Sequence, residues 1–398
     1  KEDGHEIYII TGRNNGEYTN YNELTEKWLN KYDIVYDKLI FTNAYDKHAK
    51  TEVCLENNID LMIEDSTRIS LDLISNGIKV YTMNTRYNQK EQTLDRVSKW
   101  KEIYERISKL NKKEDNKKVN VILDTDIYNE CDDQFALSYL LKSQDKFNIK
   151  AITVAPYHHD NNISIEEGTD KSCDEIIKIC NWLNFDWTNK VFKGSTDYVV
   201  NGYNEENDAV NKIIEIANKN DKTFILAIGA ITNVAIAIKK EPKIVNKIEV
   251  IWLGGHSFLS KDNKEFNFKQ DIQAVRTVFE SKVKLTIIPC KNVASNLTTS
   301  IYELEHFLKG KSELCDYLCR RFYNDGVHSI QERRVIWDIS VIAYMIKKEW
   351  FDTEEVSSPN INDDTSYELT TNNHKITVVN YLNVDKIFRD LFEKLGGK

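Results

Sequence analysis

The stretch ILDTDIYNECDDQFAL at residues 122–137 joins an apolar run to a second apolar pattern through a loop rich in acids. It holds four aspartates and one glutamate. The apolar run predicts a buried strand, and the Asp-Asp pair before apolar residues predicts the first turn of a helix. Carboxylates crowded in this way repel one another and are stabilised by a cation or a proton. The stretch therefore predicts a strand, an acidic loop and a helix.

Short apolar runs alternate with helical patterns throughout the C-terminal part of the chain. Buried strands are predicted by VNVILDT at 119–125, IKAITVA at 149–155, TFILAIG at 223–229, KIEVIWLGG at 247–255 and KLTIIPC at 284–290. Strands that alternate with helices form parallel sheets covered by helices. We therefore expect an α/β domain with a mostly parallel sheet over residues 119–398. Near its end, residues 366–371 and 374–382 are expected to form a hairpin, and residues 384–395 a last helix.

The first hundred residues repeat this alternation on a smaller scale. Strands are predicted at 7–12, 38–43, 61–66 and 79–85, and helices at 21–32, 50–58, 68–77 and 94–110. The stretch NKKEDNKK at 111–118 carries charges of both signs and predicts a solvated linker. The predicted fold class is thus α/β with two Rossmann-like domains, at 1–110 and 119–398, joined by the linker at 111–118.

Composition excludes several classes of protein. The formal net charge of −9 argues against a nucleic-acid-binding protein, because phosphate neutralisation needs clustered Lys and Arg. No apolar run reaches membrane-spanning length, so no membrane association is expected. The seven cysteines are scattered and form no CxxC pair, which argues against a disulfide framework and favours a reducing cytoplasm.

The acidic loop is the strongest chemical signal. Chemistry in parallel sheets collects at the carboxyl ends of the strands. Asp124 and Asp126 end a predicted strand, while Asp132 and Asp133 open the next helix. Hard oxygen ligands in this number favour Ca²⁺ or Mg²⁺ over zinc. Capping of the helix is the alternative, since Asp stabilises a helix N-terminus, but it accounts for one or two carboxylates rather than four.

The pattern resembles the nucleoside hydrolases, the inosine-uridine preferring N-ribohydrolase family. An Asp-x-Asp at a strand end followed by an Asp-Asp pair is similar to the signature of that family. Four further landmarks follow in the family's order: LAIGAITNVAIAIKKEP at 226–242, IEVIWLGGHSF at 248–258, KEFNFKQDIQAV at 264–275 and VIWDISVIAYMI at 335–346. The resemblance covers most of residues 119–398.

The resemblance implies a role for each matching residue. Asp126, Asp133, Asp338 and the backbone carbonyl of Ile228 would bind Ca²⁺, and Asp126 would also be the catalytic general base. Ribose hydroxyls would be bound by Asp132, Glu265 and Asn267. The implied reaction is metal-dependent hydrolysis of the N-glycosidic bond of a ribonucleoside. Without the resemblance, Glu265 and Asn267 would be interpreted as an ordinary polar loop. Members of the family commonly form homo-oligomers.

Three departures from the family pattern alter the expected base pocket and leave the binding of sugar and metal mostly intact. Asp126 and Asp132 are six positions apart, a longer spacing than the common form, and Glu130 in this loop either enters the site or caps the helix. Trp337 stands where the family often has a histidine, and Trp can stack on a base but not protonate it. Tyr157, His158 and His159 replace a ribose-binding asparagine. The candidates for protonating the leaving base are four histidines, His158, His159, His256 and His328.

The N-terminal region resembles the later motifs of haloacid-dehalogenase-type phosphatases, near their 5′-nucleotidase branch. The resemblance rests on TGR at 11–13, Lys50, IEDS at 63–66 and TMNTRYN at 82–88. It implies that Thr11 and Lys50 bind a phosphate, while Glu64 and Asp65 hold Mg²⁺. The nucleophilic Asp-x-Asp of that family has no counterpart before Thr11. The chain opens with Lys shortly before a strand. We therefore expect it to begin inside a larger phosphatase domain, of which it contains only a part.

These observations predict a hydrolase that acts on a ribonucleoside or its 5′-monophosphate. The altered base pocket favours salvage of a modified base, as in bacterial queuosine-salvage members of the family, and an ordinary nucleoside is the alternative. Two other functions fit the same sequence. One is a sensor that binds a nucleotide or ribose without turnover, and the other is a phosphatase whose C-terminal domain only positions substrate.

Overall fold

The computed structural model describes residues 5–13, 20–115, 118–158, 163–201, 206–260, 263–325 and 333–397. The chain divides into two compact units, Lys1–Asp115 and Asn116–Lys398. No helix among the described residues is long and apolar enough to cross a membrane.

Unit 1 consists of short parallel strands and the helices between them. Its strands are β1 (Tyr8–Thr11), β2 (Lys38–Phe41), β3 (Leu61–Glu64), β4 (Lys79–Met83) and β5 (Arg96–Val97). Its helices are α1 (Tyr21–Lys31), α2 (Ala49–Glu56), α3 (Thr67–Ser75) and α4 (Trp100–Asp115). Strand β1 pairs with β2, and β3, β4 and β5 form a second sheet, with parallel pairing throughout.

The end of unit 1 differs from the expected boundary. Arg96 and Val97 pair with β4, so the last helix starts at Trp100 rather than at residue 94. The helix then continues to Asp115, so residues 111–115 are helical and not part of a linker. The sequence of α4 contains no Gly or Pro and is rich in Lys and Glu, which are strong helix formers.

Unit 2 holds an eight-stranded sheet with helices on both faces. Its strands are β6 (Val119–Thr125), β7 (Phe147–Val154), β8 (Val191–Phe192), β9 (Thr223–Ala227), β10 (Ile248–Leu253), β11 (Lys284–Ile288), β12 (Thr298–Ser300), β13 (Arg333–Val335), β14 (Phe351–Ser357), β15 (Asn360–Ile361), β16 (Tyr367–Glu368) and β17 (Lys375–Leu382). Its helices are α5 (Asp132–Leu141), α6 (Ile165–Trp182), α7 (Asp208–Lys219), α8 (Thr232–Lys240), α9 (Phe266–Gln270), α10 (Ile272–Glu280), α11 (Ile301–Leu308), α12 (Glu313–Asn324), α13 (Ile339–Ile346) and α14 (Val384–Gly396).

The large sheet has the strand order β14-β17-β11-β10-β9-β6-β7-β8. All pairs in it are parallel except β14 with β17. The prediction of an α/β fold with a mostly parallel sheet is therefore confirmed. Because β6, β9, β10 and β11 run in the same direction, their carboxyl ends meet at one edge, where ligands bind in such sheets.

Two apolar clusters cover the two faces of this sheet. One contains side chains of α5, α6 and α11 to α14, and the other contains side chains of α7, α8 and α10. Strand β6 contributes to both, with Val121 and Leu123 on one face and Ile122 on the other, and all three are fully buried. A strand covered on both faces needs apolar residues at consecutive positions, which explains the unbroken run VIL in its middle.

The predicted hairpin near the C-terminus is wrong. Strand β17 pairs antiparallel with β14, whereas β16 pairs with β15. The alternating pattern at 366–371 holds only two paired residues, Tyr367 and Glu368. Strand β17 lies between β14 and β11, and it pairs with β14 over its whole length, from Lys375 to Leu382. A short segment next to it in sequence cannot supply that partner.

Candidate active site

A cavity of about 340 Å³ opens at the carboxyl ends of the central strands of unit 2. That volume is within the usual range for a small-molecule site. Loops after β6, β9, β10 and β11 form its wall, together with the segment before α13. The lining residues are Asp126, Asn129, Glu130, Asp132, Asp133, Ile228, Leu253, His256, Lys264, Glu265, Phe266, Asn267, Cys290, Trp337 and Asp338.

Three aspartates in this wall form a tight group. Asp132 and Asp133 occupy the first turn of α5, and Asp338 directly precedes α13. Their carboxylate oxygens lie within 4.8 Å of one another, and all three residues are buried. The backbone N–H of Trp337 donates to Oδ2 of Asp132 at 3.1 Å, and the hydroxyl of Thr125 donates to Oδ1 of Asp133. The structure thus brings together carboxylates that are 205 or more positions apart in sequence.

Burial and mutual repulsion dominate the electrostatics of this group. Burial, with the charge of Glu130, raises the pKa of Asp132 to about 7. The pKa values of Asp133 and Asp338 are also raised well above the ordinary range, first by burial and then by neighbouring aspartates. Carboxylates that are buried and close to one another are stabilised either by binding protons or by binding a cation. The group therefore has the chemistry of a site for a hard divalent cation.

Asp126 lies in the same cavity but outside this tight group. It follows β6, is buried, and accepts a hydrogen bond at 3.1 Å from the side-chain amide of Asn129 to its Oδ2. Its other oxygen packs against Gly229, where an added Cβ would come within 2.7 Å of Oδ1. Burial and the charges of Asp132 and Glu130 raise the pKa of Asp126. The predicted metal set is thus brought into one cavity, and the tight group contains Asp132, Asp133 and Asp338.

Asp124, the first acid of the loop sequence, is not in the cavity wall. Its Oδ1 accepts hydrogen bonds from the hydroxyl of Thr153 at 2.6 Å and from the amide of Asn233 at 2.9 Å. Burial raises its pKa to about 6. Of the four aspartates in this stretch of sequence, three therefore line the cavity. The fourth, Asp124, connects β6 to β7 and α8 through its hydrogen bonds. Asn233 also donates to the carbonyl oxygen of Val154 at 2.9 Å.

The predicted ribose-binding residues Glu265 and Asn267 also line the cavity. Glu265 is the N-cap of α9, and its carboxylate accepts from the backbone N–H groups of Gly255, Asn267 and Phe268, each at 2.9 Å. Asn267 donates its two amide hydrogens to the carbonyl oxygens of Ile228 and Leu253, at 3.0 and 3.1 Å. These bonds fix both side chains, and they leave Oδ1 of Asn267 to accept from a ligand.

Of the residues predicted to contact or protonate the base, some line the cavity and others do not. Trp337 lies in the cavity wall, next to Asp338. His256 also lies there and is buried. His158 is exposed and is not among the lining residues, and its backbone N–H donates to Oε1 of Gln270 at 2.9 Å. His159 and His328 lie outside the described residues.

Several residues of the site were not found from the sequence. Cys290 follows β11 and lines the cavity, and Lys264 and Phe266 flank Glu265. The rule that chemistry collects after parallel strands indicates Cys290. Glu130, for which the sequence left open entry into the site or helix capping, lines the cavity and pairs with Arg334 at 3.4 Å. Arg334 pairs also with Asp325 at 3.1 Å. Its contact with Glu130 joins segments that are far apart in sequence, which sequence spacing cannot indicate.

In unit 1, the structure brings together part of the second predicted site. Nζ of Lys50 lies 2.6 Å from Oε2 of Glu64, and both side chains are largely buried. Asp65 accepts a hydrogen bond from the hydroxyl of Tyr87, which lowers its pKa. Thr11 ends β1, and its carbonyl oxygen accepts from the backbone N–H of Thr42 at 2.8 Å.

Comparison with known proteins places this architecture in context. The model of the inosine-uridine preferring nucleoside hydrolase family matches residues 121–389. Among solved structures, a purine-preferring ribonucleoside hydrolase from Gardnerella vaginalis aligns with a TM-score of 0.57 and 18% identity, over 70% of this chain and 98% of that chain. At that identity the alignment shows a shared fold.

Curated relatives match over shorter stretches. A probable uridine nucleosidase 1 of Oryza sativa subsp. japonica is 28% identical over 138 residues, which are 32% of this chain and 42% of the relative. A nucleotidase of Clostridium acetobutylicum is 32% identical over 109 residues, which are 27% of this chain and 53% of the relative. The chain therefore spans less than two thirds of the length of either relative.

Proposed function

The chain belongs to the inosine-uridine preferring nucleoside hydrolase family, and on that premise we propose that it hydrolyses the N-glycosidic bond of a ribonucleoside, releasing base and ribose. One observation carries the proposal. Three buried aspartates, a fourth aspartate beside them and the carboxamide of Asn267 line one cavity of suitable size. This set can bind a cation, accept a proton from water and hold sugar hydroxyls, which are the tasks of the reaction.

The donor set fits a hard divalent cation, and we propose Ca²⁺. Asp132, Asp133 and Asp338 offer carboxylate oxygens within 4.8 Å of one another. Because Ca²⁺ takes about six to eight oxygen ligands, Asp126 and the carbonyl oxygen of Ile228 in the same cavity are further candidates. Bound Ca²⁺ would orient the sugar diol and make a water molecule more acidic.

Asp126 is the proposed general base. It is buried and lines the cavity, where its carboxylate can accept a proton from water. It takes the proton of a water molecule that attacks C1′ of the ribose. The developing sugar cation has oxocarbenium character. Asp132 and the other carboxylates of the wall stabilise its positive charge.

The cavity would bind the sugar through its polar lining residues and the base through its aromatic lining residues. Oδ1 of Asn267 accepts from a ribose hydroxyl, while Asp132 accepts from a second one. Glu265 has both oxygens engaged by backbone N–H groups, so its main role is to hold this wall, and its remaining lone pairs can accept from the sugar. Trp337 stacks on the base. His256 is the proposed proton donor to the leaving base, since its ring lies in the wall.

For unit 1 we propose a haloacid-dehalogenase-like phosphatase domain of the 5′-nucleotidase type, with Thr11, Lys50, Glu64 and Asp65 as residues of its site and Mg²⁺ as its ion. The buried Lys50–Glu64 pair supports this proposal, because it places a cation beside a carboxylate at a strand end. The relative named nucleotidase supports it as well. A 5′-monophosphate would then be the substrate of unit 1 and a nucleoside that of unit 2.

The biological setting follows from the same proposal. Replacement of a histidine by Trp337 beside the cavity supports a modified base, such as queuosine, as the group released in salvage. The seven free thiols are compatible with a reducing cytoplasm. A homo-oligomer is the assembly that the family suggests.

The test is release of free base from a panel of nucleosides and 5′-monophosphates, queuosine included, measured by chromatography with Ca²⁺ present. We expect release from at least one nucleoside, and its loss when a chelator is added. Asp126→Asn should lower kcat by roughly 100- to 10,000-fold, the usual contribution of a general base. Asp145→Asn is the matched control, because Asp145 is an exposed carboxylate of the same unit.

Two other results would replace the proposal. Binding of a nucleoside in calorimetry, with no base released from any member of the panel, would favour the sensor. Release of phosphate from a monophosphate, with no base released, would favour a phosphatase whose second unit only positions substrate.

A further inference from the structure

A hairpin that is far from the acidic loop in sequence brings a tyrosine next to the proposed proton donor. Strands β15 and β16 pair antiparallel, with Ile361 opposite Tyr367. Arg276 of α10 holds this hairpin, because its Nε–H donates to the carbonyl oxygen of Ile361 at 2.9 Å and its guanidinium pairs with Asp363. Tyr367 is therefore carried by a segment that is fixed to a helix of unit 2.

The ring of Tyr367 is held by two aromatic neighbours. Its centroid lies 4.5 Å from that of Phe258 and 5.6 Å from that of Phe268, in the edge-to-face arrangement that aromatic pairs prefer. Phe268 is fully buried and directly follows Asn267 in α9. This packing restricts rotation of the phenol, so the position of its hydroxyl group is well defined.

The hydroxyl group of Tyr367 lies against the turn that carries His256. It donates to the carbonyl oxygen of His256 at 3.4 Å, which is a long hydrogen bond. It also packs on Gly255, where an added Cβ would come within 2.4 Å of the phenol oxygen. Gly255 has a φ of +75°, a left-handed conformation that favours glycine. Both the backbone of the turn and the close approach of Tyr367 therefore require glycine at this position.

The backbone of this turn is hydrogen-bonded at each of its polar groups. The N–H of Gly255 donates to Glu265, and its carbonyl oxygen accepts from the backbone N–H of Cys290, each at 2.9 Å. The N–H of His256 donates to the side chain of the buried Asn263, and its carbonyl oxygen accepts from the phenol. Because His256 lines the cavity, these four bonds fix the point from which its imidazole enters the site.

We propose that Tyr367 is a positioning residue, which holds the backbone of His256 so that the imidazole can give its proton to the leaving base. The inference rests on the proposed function. In the step itself, water adds to C1′ and loses a proton to Asp126, while the bond from C1′ to the base nitrogen breaks and its electron pair stays with the base. His256 gives a proton to that base, and transfer of the proton of Asp126 to His256 through solvent restores both groups. Tyr367 does not line the cavity and keeps its proton throughout, so it acts only through His256.

This role predicts a dependence on the leaving group. A nucleoside base needs a proton as its bond to C1′ breaks, whereas 4-nitrophenolate leaves as an anion without one. Loss of a residue that positions the proton donor therefore slows cleavage of a nucleoside but not of 4-nitrophenyl β-D-ribofuranoside. Loss of a residue that only stabilises the fold slows both reactions equally.

The experiment measures kcat, KM and Tm for Tyr367→Phe in the full chain, with both substrates. The nucleoside is whichever one the wild-type protein cleaves. A catalytic group displaced by about 1 Å can lose about 100-fold in rate, and loss of one long hydrogen bond should move the turn by less. We therefore expect kcat for the nucleoside to fall roughly 3- to 30-fold, with KM changed by less than about threefold and kcat for the nitrophenyl riboside unchanged. Tm should fall by no more than about 4 °C.

A combined variant shows whether Tyr367 acts through His256. His256→Gln alone should lower kcat for the nucleoside by about 100- to 10,000-fold, the usual contribution of a general acid. Adding Tyr367→Phe to it should change kcat by no more than about twofold, because effects of coupled residues do not add. Tyr317→Phe is the matched control, since Tyr317 is also half-buried and outside the cavity wall, and its hydroxyl donates to Glu175. It should lower Tm and leave kcat for both substrates unchanged.

Each other outcome overturns the inference in a recognisable way. A wild-type kcat for the nucleoside in Tyr367→Phe removes the role of Tyr367 and leaves the proposed function intact. An equal fall for both substrates would make it a structural residue, and a full additional loss in the combined variant would show that it acts independently of His256. A wild-type kcat in His256→Gln would exclude His256 as the donor and Tyr367 as its positioning residue. A wild-type protein that releases neither base nor 4-nitrophenolate would refute the proposed function itself.

Discussion

Gly229 sets the position of the proposed general base, and replacing it by alanine tests that geometry directly. The residue follows β9 and lies between Asp126 and Ala155. A Cβ at position 229 would come within 2.7 Å of Oδ1 of Asp126, 3.2 Å of its Cγ and 2.9 Å of Cβ of Ala155. Ordinary contact begins near 3.4 Å. Both neighbours are buried, so neither can move away into bulk solvent.

The expected effect follows from these distances. Oδ1 of Asp126 must move by about 0.7 Å to restore van der Waals contact. A displacement of about 1 Å in a catalytic group can reduce the rate roughly 100-fold, so we expect Gly229→Ala to lower kcat by about 10- to 100-fold. The extra methyl group should also cost about 1–3 kcal/mol of stability through overpacking. KM should change little, because Asn267 and Asp132 are not displaced.

The assay is steady-state base release together with thermal unfolding. Gly396→Ala is the matched control, since a Cβ there would meet the carbonyl oxygen of Phe307 at 3.0 Å, at the end of α14 and far from the cavity in sequence. We expect that control to lose stability but to keep the wild-type kcat. If Gly229→Ala keeps the wild-type kcat while its Tm falls, the position of Asp126 does not limit the reaction and the reasoning is refuted.

Two further predictions concern the aspartate group. Asp338→Asn should weaken Ca²⁺ binding at least about 10-fold in calorimetry, because it removes one of few charged ligands. The control Asp352→Asn, at an exposed position of β14, should leave the affinity unchanged. Equal Ca²⁺ affinities of the Asp338→Asn variant and the wild-type protein would exclude Asp338 as a ligand. The pH dependence of stability should differ with and without the ion. Burial and the charge of Glu130 raise the pKa of Asp132 in the folded state to about 7, which is above its value in the unfolded state. The folded state therefore binds the proton more tightly than the unfolded state does. As a consequence, the metal-free protein loses stability as pH rises from about 4 to about 7. Thermal unfolding in chelator should show that fall and a smaller one with Ca²⁺; a Tm in chelator that does not change over this window would contradict the assigned charges.

The sequence predicted the parallel core of unit 2 well, because buried parallel strands leave a pattern that needs no partner to be recognised. The strand at 119–125 has the predicted bounds, and the last helix differs by one residue. The pairing of β17 was missed because its partner β14 lies on the other side of β15 and β16 in sequence. Alternation of apolar and polar residues identifies a strand but does not identify its neighbour.

The residues of the candidate site were predictable where one short motif contains them. They were less predictable where their positions depend on contacts between segments that are far apart in sequence. The placement of Asp126, Asp132 and Asp133 in one cavity follows from a strand end and a helix start. That Asp124 would turn away depends on Asn233, more than a hundred positions later. The exposed position of His158 and the entry of Cys290 likewise depend on how the strand ends are arranged, and a single sequence does not record that arrangement.

The central claim is that this cavity cleaves a nucleoside with the help of a divalent cation. The most direct measurement follows free base released from one cleaved nucleoside, first with Ca²⁺, then after addition of a chelator, and finally after excess Ca²⁺ is restored. The account predicts release, its loss and its recovery in that order, and none of the three in Asp126→Asn above about 1% of the wild-type rate. Release that continues undiminished in chelator, or that persists at the wild-type rate in Asp126→Asn, would contradict it.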